Sequence, residues 1–332
     1  MRRSLQEGNT MVRLKDIAEK AGVSISVVSR TLNPKPDKNA YISKELRREI
    51  KLVSREMGYQ RNRMAEFLKR GRNSTIGVFI PEIPNRLVAD LMFGISQKAS
   101  GLDFPLSFHF GISYAEYAKF IDRAAASKSG IITYPFDPST HVQIAGLLRD
   151  YRAKGGCVII LNSYQGFKDI PVIYNDDFSG GCLAAERLIS RKCGTYFAEE
   201  SIYVKRSEGF NSALNEKGES SIPFKISDFE KTFTGNFKSK SRPAGIFANT
   251  DVNAFAILSV LKKMKIKPGK DVLLIGYDDL ESCKYSEPPL STVRQNFKIE
   301  GMRAVEKLVS MIYGKNEGSE AIPPSLVIRD TA

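Results

Sequence analysis

The pattern of apolar and polar positions changes character along the chain. From Leu14, the apolar positions Leu14, Ile17, Ala18 and Ala21 follow helical spacing until Gly22 breaks the run, and Ser24 is placed to cap a second helix from about Ile25 to Leu32. Asn33-Pro34-Lys35-Pro36-Asp37 is a loop by composition, and Ser43 can cap a third helix whose Leu46, Ile50, Val53 and Met57 share one face. Three short helices predict a miniature core that needs Val27, Val28 and Leu32, leaving Ile25, Ser26 and Arg30 free. Residues 1–11 lack periodicity and read as a disordered leader, with Met11 a candidate start. Asn62 to Gly71 is helix-compatible but too short to hold a helix by itself in water.

From Ser74 the period changes. Thr75 to Ile80 is an apolar strand, Ala89 to Ala99 a helical stretch, and Pro105 to Phe110 alternates again. The short apolar runs Gly130 to Tyr134, Cys157 to Leu161, Ala244 to Ala248 and Val272 to Tyr277 each stand near a helix-length segment. That order predicts parallel βαβ units covered on both faces, with ligands gathered beyond the strand C-terminal ends. The region from Gly194 to Lys240 parses poorly, and Cys193-Gly194-Thr195-Tyr196-Phe197-Ala198-Glu199-Glu200 makes a poor strand.

Charge sharpens this picture once it is located. Residues 1–73 carry 18 Lys and Arg against 8 Asp and Glu, so +10 of the net +13 lies in this segment. That is the electrostatic footprint of phosphate binding. Apolar residues at 42% and charged residues at 26% are ordinary for a globular chain, and no apolar run is long enough to span a bilayer. No secretory signal is read behind Arg2 and Arg3, so a cytoplasmic, nucleoid-associated protein is expected.

Cys157, Cys182, Cys193 and Cys283 lack a C-x-x-C spacing, and His109 and His141 are too isolated for a metal site; no metal or cofactor is expected. The sequence contains no G-x-x-x-x-G-K-[ST] loop, G-x-S-x-G elbow or G-x-G-x-x-G after a strand, which weighs against an enzyme.

A helix, a tight glycine turn and a second helix would place the start of that second helix in the major groove. Arg30 can fork onto guanine, Ser26 can donate or accept, and Ile25 can meet a thymine methyl. Arg13, Ser24, Ser29, Asn33 and Ser43 suit phosphate contacts, which position the protein without reading sequence.

These residues resemble the lactose-repressor (LacI/GalR) family of bacterial transcription regulators. LKDIAEKAGVSISVVSRTLN follows the family signature nearly throughout, and GYQRNRMAEFLKRG is similar to its hinge. VIYNDDFSGGCLAAERLI, RSEGF, IFANTDVNAFAIL, DVLLIGYDD and PPLSTVRQ resemble later family elements, so the likeness covers nearly the whole chain. Three departures stand out: the insertion Pro34 to Asn39, the replacement of a Gly-His pair around Ser190-Arg191-Lys192, and Asp176-Asp177 where the family has Asp-Asn.

The resemblance implies an all-α helix-turn-helix headpiece followed by an α/β effector domain of periplasmic-binding-protein-like type, with two parallel-sheet subdomains crossed three times by the chain. The expected limits are 12–60 for the headpiece, 61–73 for a hinge helix and 74–332 for the effector-binding and dimerisation domain. Within the last, an N-subdomain would take about 74–163 and 296–323, and a C-subdomain about 164–295 and 324–332. In the family the hinge folds on operator DNA and wedges a leucine into the minor groove; Leu68 occupies that position, with Asn62 and Ala65 on the same segment. The physics agrees, since an apolar wedge unstacks a flexible step at a cost of about a few kcal/mol. Family positions place Arg206 and Asp278 at the effector, with Asn85, Phe110 and Thr250 as further candidates. An arginine beside an aspartate suits vicinal sugar hydroxyls.

The expected protein is therefore a homodimeric repressor of a carbohydrate-use operon, reading a palindromic double-stranded operator under control of a sugar-like effector. No membrane partner is expected, and the tail shows no heptads for a tetramer. The alternative is a solute-binding protein of a sugar transporter, against which the basic headpiece and the lack of a read signal peptide weigh.

Overall fold

The computed structural model describes residues 12–32, 42–59, 75–81, 86–127, 130–134, 141–162, 167, 169–237 and 241–332. The expected leader, the loop from Asn33, the hinge with Asn62, Ala65 and Leu68, and Asn85 lie outside the described residues. The chain divides into two compact units, Met1–Gly71 and Arg72–Ala332.

In the first unit α1 (Leu14–Lys20), α2 (Ile25–Leu32) and α3 (Lys44–Glu56) form where the apolar spacing predicts them. Asp16 closes the start of α1 by accepting the Arg13 backbone N–H at 2.7 Å. Gly22 adopts φ +65°, a left-handed conformation that stops α1 without a Cβ penalty. Ser43 caps α3 as expected, its hydroxyl accepting the Leu46 N–H at 3.1 Å. The Ser24 carbonyl accepts the Val27 and Val28 N–H groups at the start of α2, while its hydroxyl pairs with that of Ser26 at 2.8 Å. Helices of seven and eight residues cannot persist alone in water. Their stability comes from Ile17, Ala18, Val28, Ile50 and Val53, which are buried together with Leu14, Val27, Leu32, Leu46 and Met57 around them.

The second unit holds two six-stranded sheets. The first sheet contains β1 (Ile76–Ile80), β2 (Leu106–Phe110), β3 (Gly130–Thr133), β4 (Cys157–Leu161), β5 (Val172–Asn175) and β11 (Glu320–Ile322). Its order is β2-β1-β3-β4-β5-β11 with every pairing parallel. All five β1 residues are buried, as a parallel strand covered on both faces requires. One face packs on α4 (Arg86–Gly101) and α11 (Phe297–Ile312) through Leu91, Ile95, Val305 and Leu308. The other packs on α5 (Tyr114–Ser127) and α6 (His141–Ala153) through Tyr117, Phe120, Ile144 and Leu148.

The second sheet contains β6 (Thr195–Glu199), β7 (Ser221–Phe224), β8 (Ala244–Phe247), β9 (Val272–Tyr277), β10 (Ser291–Arg294) and β12 (Ser325–Val327). The order is β7-β6-β8-β9-β10-β12, parallel except for the antiparallel edge pair β10 and β12. Helices α7 (Asp177–Ser190) and α8 (Val204–Asn215) cover one face; α9 (Phe229–Asn236) and α10 (Asp251–Lys263) cover the other. Among the described residues, no helix is long and apolar enough to cross a membrane.

Two expectations need correction. Residues 195–199 form a largely buried strand between β7 and β8, where a poor strand was expected. The first passage between the sheets falls after Asn175 and not near residue 164, because Val172 to Asn175 pair with β4 and β11 in the first sheet. The other passages follow Arg294 and Ile322.

Glycines let helices meet backbone to backbone. A Cβ on Gly181 would lie 2.0 Å from the Arg206 carbonyl oxygen, and one on Gly209 would lie 1.9 Å from that of Phe178. No side chain can rotate away to relieve such overlaps. Gly209→Ala should therefore destabilise the protein by about 1–3 kcal/mol or more. Gly146→Ala, at an exposed position of α6 with nothing within 4 Å, should leave stability unchanged or raise it by up to about 1 kcal/mol. Urea unfolding of both variants checks the contrast, and equal midpoints would refute the packing argument.

Candidate DNA-reading face and ligand cleft

On α2, burial of Val28 and Thr31 turns Ile25, Ser26 and Arg30 outward, and Ile25 is 48% exposed. Ser26 and Arg30 are one helical turn apart, so the guanidinium lies along the helix and donates from Nε to the Ser26 carbonyl at 3.2 Å. With Ser24 they form one polar strip, running from the start of α2 to its last turn. Arg13 and Ser43 are exposed at the starts of α1 and α3, and Ser29 is half-buried. Asn33 lies outside the described residues.

The second cluster gathers at the C-terminal ends of β6, β8 and β9. Arg206 enters from the first turn of α8 and is only 4% exposed. Its Nε donates to Asp177 at 3.2 Å, and its Nη1 donates to the Asn249 carbonyl at 2.5 Å and to Asp278 at 3.4 Å. The ring centroids of Tyr203 and Tyr277 lie 4.2 and 3.9 Å from the guanidinium carbon, and both rings favour the cation. Burial works against the charge of Arg206, but Asp177 and Asp278 more than offset it, so the guanidinium stays firmly protonated.

Asp278 follows β9 in a left-handed backbone conformation, φ +116°, and accepts the Gln295 amide at 2.6 Å. Burial pushes its carboxyl up to about 7, against the opposing pull of Arg206. Asn249 is fixed from below: its N–H donates to the Glu199 carboxylate and its amide to the Glu199 carbonyl, each at 2.7 Å. Burial raises the Glu199 carboxyl, and the Asn249 and Asn253 donors pull the other way.

The structure thus brings Arg206 and Asp278 together. Thr250 stands next to Asn249 and caps α10, its hydroxyl accepting the Asn253 N–H at 3.2 Å. Phe110 ends the edge strand β2, 51% exposed and stacked on Phe108, with no described contact to Arg206. Sequence reasoning missed Asp177, Tyr203, Tyr277, Asn249 and Gln295. Only Asp177 left a signal, as the second acid of an unusual Asp-Asp pair. A groove of about 600 Å³ beside α8, bordered by Glu200, Val204, Glu208 and Asn211, is a separate feature that Arg206 does not line.

Two family models match this chain: the lacI family of bacterial regulatory proteins over residues 13–62, and the periplasmic binding protein-like domain over 185–332. The ribose operon repressor of Haemophilus influenzae is 26% identical over 97% of this chain and 98% of its own length. The HTH-type transcriptional repressor CytR of Escherichia coli K12 is 26% identical over 96% of both chains. Among solved structures, the Lac repressor dimer bound to operator and the anti-inducer ONPF has a TM-score of 0.67, with 20% identity over 97% of this chain and 99% of that one. A LacI family regulator from Enterococcus faecium with bound ribose has a TM-score of 0.60, with 24% identity over 77% and 98%. The chain belongs to the lacI family of bacterial regulatory proteins, a class of DNA-binding transcription regulators. Its fold is a helix-turn-helix headpiece joined to a periplasmic-binding-protein-like domain.

The raised Asp278 carboxyl has a definite consequence. The folded protein keeps a proton there that the unfolded chain has lost, so this residue makes stability fall as pH rises from about 4 to 7 and adds nothing beyond. Asp278→Asn should remove that fall. Urea unfolding of both proteins across this range tests it; parallel stability curves would contradict the assignment.

Proposed function

We propose that the protein represses transcription of a carbohydrate-use operon as a homodimer on a palindromic operator, and that a small sugar-like molecule bound at Arg206 and Asp278 sets its operator affinity. The exposed strip of Ser24, just before α2, with Ser26 and Arg30 on it, within a segment of charge +10, carries the DNA-reading half of this proposal. Ile25, Ser26 and Arg30 read base edges; Arg13, Ser24, Ser29, Asn33 and Ser43 hold phosphates. Asn62, Ala65 and Leu68 belong to a minor-groove hinge within 61–73, between a headpiece of 12–60 and an effector-binding and dimerisation domain of 74–332.

At the effector, Asp278 and Asp177 present acceptors for hydroxyls, with the Arg206 guanidinium between them. Asn85, Phe110 and Thr250 are further contacts. The ribose and cellobiose held by related regulators support a neutral polyol as the ligand. The protein works by binding and not by catalysis, in the cytoplasm and on the nucleoid. A transporter's solute-binding protein would have no use for residues 13–62, which match the DNA-binding family model.

The test is to mix the full chain with fragmented genomic DNA of its source, with and without a panel of free sugars, and sequence what is retained. Enrichment of a short palindrome supports the proposal; no enrichment under any condition overturns it. On the recovered operator, Arg30→Ala should weaken binding by about tenfold or more and relax preference at one base pair per half-site. Competition against single-base operator variants reads this directly, and an unchanged preference would remove Arg30 from the base-reading set.

A further inference from the structure

We propose that Glu300 is the positioning residue that ties together all three passages between the two sheets, so that its hydrogen bonds set how the effector cleft opens and closes. Glu300 lies in the first turn of α11 with no exposed surface. Its Oε2 accepts the side-chain amides of Asn162 at 3.0 Å and Asn175 at 2.6 Å. Asn162 directly follows β4 and Asn175 ends β5, leading straight into the first passage. Asn175 Oδ1 then accepts the Asn296 N–H at 2.8 Å, on the second passage. Asn296 donates its amide to the Pro323 carbonyl at 2.6 Å, and Asp176 donates its N–H to the Ile322 carbonyl at 3.0 Å, which brings in the third. One carboxyl group therefore stands at the root of a network through every segment that joins the sheets.

Burial favours the neutral form of that carboxyl. Oε1 is buried without a hydrogen-bond partner, and the charged group facing Glu300 is the Asp177 carboxylate, with the Tyr134 phenol also near. Among the described residues its hydrogen-bond donors are the two neutral amides of Asn162 and Asn175, and burial, which they oppose, raises its pKa well above the ordinary range. Ionisation would favour opening that lets water reach Oε1. Asp177 is at once the first residue of α7 after the passage and the partner of Arg206 at 3.2 Å. The occupant of the cleft and the hinge network thus meet within two residues. The consequence for operator release rests on the regulator reading above; the hinge role does not.

Amide hydrogen exchange of the full chain, without DNA or sugar, tests the role. Peptides covering 160–176, 294–300 and 320–326 should exchange about tenfold faster in Glu300→Ala than in the wild type, while the β8 peptide is unchanged. Glu300→Gln, a neutral isostere that keeps the accepting oxygen, should match the wild type at neutral pH within about twofold. After correction for intrinsic rates, the wild-type passages should loosen as pH is raised, whereas those of Glu300→Gln should not. If Glu300→Ala fails to fold, that pH comparison alone decides. Equal pH responses in wild type and Glu300→Gln, or a Gln variant as open as expected for Ala at neutral pH, would overturn the proposal.

Discussion

The buried guanidinium of Arg206 is the constraint on which the second unit is organised. Removing a cation from water costs several kcal/mol even after relaxation, so its surroundings must return that energy through paired charges and hydrogen bonds. Asp177, the Asn249 carbonyl and two tyrosine rings do so here, and Asp278 adds its charge once it ionises. The partners come from four places: Asp177 on α7, Tyr203 before α8, Asn249 after β8, and Tyr277 with Asp278 at the end of β9. Satisfying one charge therefore fixes the relative position of four strand ends. The glycine contacts between α7 and α8 serve the same geometry, since Gly181 packs directly on the Arg206 carbonyl.

The headpiece is built on the opposite logic. Its core is a handful of apolar side chains, and its three helices leave most of their polar surface free. That division is what a DNA reader needs: Val28 and Ile17 hold the helices, so Ser26 and Arg30 are not needed for stability. In the second unit the candidate ligand-binding side chains are themselves structural, and a ligand there would have to exchange contacts with groups that already hold the fold. Binding of the proposed effector would be coupled to domain geometry for that reason.

The sequence was most legible where one periodicity dominates. The three headpiece helices, the glycine turn and the apolar strands β1, β4 and β9 follow from spacing alone. The strand at 195–199 was obscured by Glu199, whose charge suggests surface; the Asn249 N–H and the Asn253 amide make its burial tolerable, and neither neighbour is near in sequence. Strand β7 carries Pro223, which an edge position allows. Residues 172–175 were assigned past the first passage because strand pairing, not composition, places them. Arg206 and Asp278 came from the family resemblance, and Tyr203, Gln295 and Glu300 could be found only once the fold brought distant segments together.

The proposed function joins two sites through one equilibrium: a ligand at Arg206 would bias the arrangement of the sheets, and that arrangement would bias the grip on DNA. Such coupling is reciprocal by thermodynamic necessity. The most direct measurement is therefore a closed cycle on the full chain, with operator affinity determined with and without saturating sugar, and sugar affinity determined with and without operator. The account predicts that both affinities change by the same factor, on the order of 5–150-fold. Sugar binding that is indifferent to operator, with operator binding indifferent to sugar, would contradict it.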